Sequence, residues 1–110
     1  MNHKLIQKSV LKKIQKILST TPCHKAYVFG SYASGTADKY SDLDLVIIAD
    51  TDRPFVERFR DYFKILEISP VPVELFIYTP EEFERMIEQE NPLITNVLQE
   101  GKCIYEKCAA

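Results

Sequence analysis

Asp42-Leu43-Asp44 runs straight into Leu45-Val46-Ile47-Ile48, and this junction constrains the chain more than any other stretch. The apolar run has the length and β-branched content of a buried strand. Side chains two apart on a strand share a face, so Asp42 and Asp44 are expected to project side by side. Packing supplies no reason for that. Adjacent carboxylates repel each other and lose hydration beside apolar neighbours unless a cation or hydrogen-bond donors compensate. A divalent metal is the usual remedy, so the pair points to magnesium-assisted chemistry. Upstream, Ala26-Tyr27-Val28-Phe29 reads as a strand running into Gly30-Ser31. That turn points to a phosphate: Gly30 lets backbone approach closely, and Ser31 opens a short helical turn as its N-cap.

Gly-Ser, ten residues, then Asp-x-Asp resembles the signature of the nucleotidyltransferase superfamily that includes DNA polymerase beta. Gly30, Ser31, Asp42 and Asp44 fit its spacing without gaps. The whole chain resembles a minimal nucleotidyltransferase of the MNT type. The likeness continues through Val73-Glu74-Leu75-Phe76-Ile77-Tyr78-Thr79-Pro80-Glu81-Glu82-Phe83, Asn91-Pro92-Leu93 and Gly101-Lys102-Cys103-Ile104-Tyr105-Glu106. It implies an α+β, palm-like fold with a small mixed sheet. It also implies that Asp42 and Asp44 hold two magnesium ions, which in such sites stand about 3.5–4 Å apart and clamp the attacking and leaving oxygens. Glu74 aligns with the third acid, near the acceptor hydroxyl, where it can serve as base. Gly30 and Ser31 would hold the β- and γ-phosphates of ATP or another nucleoside triphosphate. The acceptor implied is a tyrosine on a separate HEPN-domain protein, in an antitoxin-like arrangement.

Two positions depart from the family's pattern. Glu74 stands where aspartate is more usual, and its extra methylene would shift the metal; an exposed edge-strand glutamate is the competing reading. Ser34 stands where many relatives carry arginine, leaving phosphate neutralisation to Lys39 or to a partner's residue. These departures sustain an alternative function: a catalytically weak module that neutralises a HEPN partner by contact alone. A P-loop is rejected because Thr36 and Ala37 occupy the positions of its Lys and Ser/Thr.

At 110 residues the chain is expected to be one domain, residues 1–110. A net charge of −2 offers no basic surface for long nucleic acid. The lysines at 4, 8, 12, 13 and 16 read as the solvated face of a first helix. Cys23, Cys103 and Cys108 match no zinc or redox spacing and read as reduced thiols of a cytoplasmic protein. Neither a signal peptide nor an apolar run of membrane-spanning length is present, so no membrane partner is expected. Homodimerisation through the apolar helix faces is allowed but not compelled.

The remaining pattern sets the elements. A first helix carries Leu5, Ile6, Val10, Ile14, Ile17 and Leu18 and ends before Thr20-Thr21-Pro22. The second strand covers Asp42 to Ala49. Phe55, Phe59, Tyr62, Phe63 and Leu66 predict an amphipathic helix to about Glu67 with those residues on its buried face. Val73 to Tyr78 is a third strand, begun by Pro72. Thr79-Pro80-Glu81-Glu82 starts a third helix and Asn91-Pro92 a fourth, which Gly101 stops. Lys102 to Tyr105 adds a final strand. Tyr78 is assigned to core or rim, and His3 and His24 receive no role.

Overall fold

A central strand apolar on both faces builds a sheet with helices on both sides. The computed structural model describes residues 8–38 and 41–107. Along them run α1 (Lys8–Ser19), β1 (Cys23–Phe29), α2 (Ser31–Ser34), β2 (Leu43–Ala49), a 3₁₀ helix (Phe55–Tyr62) continuing into α3 (Phe63–Ile68), β3 (Val73–Tyr78), α4 (Pro80–Glu88), α5 (Pro92–Glu100) and β4 (Lys102–Glu106). The strand order is β3-β2-β1-β4. β1 pairs antiparallel with β2 and β4, while β2 and β3 are parallel, as a helical crossover requires. The expected α+β class with a small mixed sheet is what the chain forms.

Parity decides the two layers. Leu43, Leu45 and Ile47 of β2 pack with Ile14 and Leu18 of α1, Tyr62 and Ile65. Val46 and Ile48 point the other way, into Phe83 of α4 and Ile94 and Val97 of α5. Full burial of each Ile or Leu is worth about 1.5–3 kcal/mol, so β2 anchors both layers at once. Asp44 lies on the α4/α5 side of this central strand, and its position is therefore as fixed as the core's.

Helix starts follow the expected chemistry. Thr79 accepts from the Glu82 amide while Glu82 Oε1 accepts from the Thr79 amide, and Pro80 opens α4. Asn91 Oδ1 caps α5 through the amides of Leu93 and Ile94. Gly101 ends α5.

Three expectations are corrected. Ser31 is not the N-cap of α2: Gly30 takes that place with φ 74°, and no side-chain cap is made. Asp42 is not on β2, which begins one residue later at Leu43. The Phe55–Leu66 segment does not bury its aromatic stripe. Its first eight residues wind as a 3₁₀ helix, with 3.0 rather than 3.6 residues per turn, so a four-residue repeat drifts off the core. Tyr62 and Ile65 face inward with Arg58, whereas Phe55, Phe59 and Phe63 stay largely exposed. Leu5, Ile6, His3, Lys4, Lys39 and Cys108 lie outside the described residues.

Candidate active site

The parallel register sets Asp44 of β2 opposite Glu74 of β3, and the antiparallel register sets Phe29 of β1 opposite Asp44. Asp44 is half-buried between them; Glu74, on the outer strand, is exposed, and so is Asp42 just ahead of β2. The Asp44 carboxyl is pushed up to about 6, most by burial and then, in order, by the Glu74 charge, a hydrogen bond with Glu74 and the Asp42 charge. All three sequence-predicted acids thus act on one another, with Asp44 at the centre.

Gly30 belongs to the same group. A Cβ built there would stand 2.5 Å from Asp44 Oδ2, and its φ of 74° is one that L side chains rarely adopt. The glycine that ends β1 therefore lets the Asp44 carboxylate lie directly against the turn. The Ala33 and Ser34 amides both donate to Gly30 O at 3.1 Å. The amides of Ser31 and Tyr32 precede that first helical bond, as leading amides of any helix do. Ser34 is exposed and its hydroxyl is engaged with Ser31 O at 3.3 Å and Thr36 Oγ1 at 2.8 Å.

Among the described residues no group of three or more His, Cys, Asp or Glu side chains is arranged to hold a metal ion. Magnesium does not ask for such a cage. It usually keeps several waters and binds through one or two carboxylates plus substrate phosphates. The Asp44–Glu74 pair supplies hard oxygen donors whose mutual repulsion a cation would relieve, so the donor chemistry fits that ion.

Two residues outside the row of acids make structural contacts. His24, left without a role, pairs with Asp50 at 2.8 Å, joining the far ends of β1 and β2. Tyr78 packs on Phe55 with ring centroids 5.5 Å apart, in keeping with a core or rim position. The residue overlooked was Arg58. It is only 7% exposed and donates to Ile77 O at 3.0 Å, Arg53 O at 3.0 Å and both Glu82 oxygens at 2.6 and 3.2 Å. No sequence signal pointed to it, because periodicity counts arginine as surface.

A sequence profile described as "Polymerase beta, Nucleotidyltransferase" matches residues 12–109. The chain belongs to the polymerase beta nucleotidyltransferase family. Among this family's members it is 36% identical over 93 residues to a protein of Methanocaldococcus jannaschii described as a protein adenylyltransferase, covering 73% of this chain and 56% of that relative. The chain thus spans little more than half that relative's length. It is 31% identical over 109 residues to MntA of Haemophilus influenzae, also described as a protein adenylyltransferase, covering 96% and 86% of the two chains. Solved structures share the nucleotidyltransferase fold. A toxin–antitoxin structure with AMP-PNP superposes with a TM-score of 0.67 at 23% identity, over 88% of this chain and 73% of that one. An MNT antitoxin complexed with a tri-AMPylated HEPN toxin of Shewanella oneidensis gives 0.59 at 20% identity, over 93% and 74%.

Proposed function

We propose that this nucleotidyltransferase moves AMP from ATP to a tyrosine hydroxyl of a HEPN-domain partner and so silences that partner as an antitoxin. One observation carries the reading: the sheet places Gly30, Asp44 and Glu74 side by side, with the Asp42 charge felt at Asp44. Support comes from the relatives described as protein adenylyltransferases and from structural neighbours with AMP-PNP or an AMPylated HEPN toxin.

In this reading Asp42, Asp44 and Glu74 hold magnesium, and the Gly30-Ser31 turn receives the triphosphate. Bound magnesium supplies Lewis-acid screening of phosphate charge and a more acidic acceptor hydroxyl. The acceptor oxygen forms a bond to the α-phosphorus, the bond from that phosphorus to the bridging oxygen breaks, and pyrophosphate leaves with the electron pair. Glu74, the most exposed acid of the sheet row, takes the acceptor proton. Asp44 carries its charge beside the Glu74 and Asp42 charges, a repulsion that a cation offsets, so nucleotide and metal bind together. The open edge at β3 leaves the acceptor to be positioned by the partner, and positioning supplies much of the rate in such transfers.

The test is incubation with α-labelled ATP, magnesium and a cognate HEPN-domain protein. Label should appear on the partner, and omission of magnesium should abolish it. Exposure of Glu74 favours the contact-only alternative, which predicts a tight complex and no label.

A further inference from the structure

Beside the acids β3 carries an aromatic ring that no step of the transfer uses. Glu74 and Phe76 stand two apart on this strand and so share a face, with Asp44 opposite Glu74 and Val46 opposite Phe76. Resting on the function proposed above, we infer that the Phe76 ring seats the ring of the acceptor tyrosine. It thereby selects a phenolic hydroxyl over an aliphatic one.

Position across the sheet chooses the occupant. The strands run β3-β2-β1 through the site. Gly30 closes β1 and lies against Asp44 from that side, so the triphosphate takes the β1 side of the acid row. Glu74 stands on the opposite side, on the strand that forms the edge of the sheet. A ring on β3 is therefore on the acceptor's side and away from the phosphates.

Reach fits the same occupant. Two strand residues advance about 6.6 Å, close to the span of a tyrosine side chain from its hydroxyl to its Cβ. A phenol lying along β3 with its hydroxyl at the Glu74 carboxylate thus has its ring over Phe76. Serine and threonine lack that reach and offer no ring to stack.

Phe76 is both open and held. It is partly exposed, whereas Phe29 beside it is buried. The two rings meet at 5.6 Å with a 60° tilt, the kind of contact aromatic pairs favour. Two other aromatics are already engaged: Tyr27 stacks on Phe83 at 6.3 Å and Tyr78 on Phe55 at 5.5 Å. A ring fixed before contact loses little entropy when a second ring settles on it.

The rate of label transfer within the preformed complex, given α-labelled ATP, magnesium and the cognate HEPN-domain partner, tests this. Phe76→Leu keeps an apolar side chain against Phe29 and removes the ring. It should slow transfer about three- to tenfold, the worth of one aromatic pair. Phe76→Tyr keeps the ring and should transfer at close to the wild-type rate. AMP-PNP binding to the chain without its partner should be unchanged in both variants. Transfer by Phe76→Leu at the wild-type rate, or equal slowing by both variants, overturns the seat. So does weakened AMP-PNP binding by Phe76→Leu, because the ring would then serve the nucleotide. A wild type that transfers no label fails earlier, at the proposed function itself, and takes the seat with it.

Discussion

Asp44→Asn should stabilise the isolated protein near neutral pH, and only there. The substitution keeps the side chain's shape and removes one charge from the crowded row of acids. In the native state the Asp44 carboxyl is pushed up to about 6 from an ordinary 3.8, first by burial and then by Glu74 and Asp42. That interval sets a ceiling of about 3 kcal/mol at 1.36 kcal/mol per pH unit. Partial exposure and solvent screening reduce it to about 1 kcal/mol. The native state holds this proton more tightly than the unfolded chain does. Its contribution to wild-type stability is therefore fully present below 3.8 and lost as pH rises through 6. Urea denaturation in chelator at about pH 7.5 and about pH 4 reads the effect. The variant should gain about 1 kcal/mol at the higher pH and nearly nothing at the lower. Saturating magnesium with a triphosphate should reverse the order, stabilising the wild type and not the variant. A variant that is less stable at both pH values, or equally favoured at both, would refute the reasoning.

Glu74→Asp should keep or raise AMP transfer while Glu74→Gln removes it; wild-type rates for both would reduce Glu74 to an exposed strand residue. Gly30→Ala meets Asp44 Oδ2 at 2.5 Å and demands a left-handed backbone, so it should cost about 1–2 kcal/mol in denaturant melts and most of the transfer rate. Arg58→Met removes the Arg58 hydrogen bond to Ile77 O and the ion pair with half-exposed Glu82, and thermal unfolding should report a loss of about 2–4 kcal/mol.

The path of β2 could be read from the continuous apolar run after Asp44, but the side of the sheet that Asp44 faces could not, because Val46 and Ile48 are buried as fully as Leu45 and Ile47. Glu74 was legible as an acid on β3. That it lies opposite Asp44 depends on a parallel register set by the crossover, which no local pattern encodes. The Gly30 contact is likewise tertiary: the sequence called for a permissive residue, but the side chain that fills its vacancy comes from the neighbouring strand. The helix after Pro54 was misread because a four-residue aromatic spacing fits an α-helix. From that segment Arg58 reaches Ile77 O and Glu82. Burial of a cation against a strand carbonyl cannot be seen in periodicity, which counts arginine as surface.

The central claim, enzymatic silencing through the clustered acids, is tested most directly by the intact mass of a HEPN-domain partner co-expressed with this chain. The account predicts one or more AMP increments on a partner tyrosine with the wild-type chain and none with Asp44→Asn, although the variant still folds and binds. An unmodified partner in a tight, silenced complex with the wild type would contradict it.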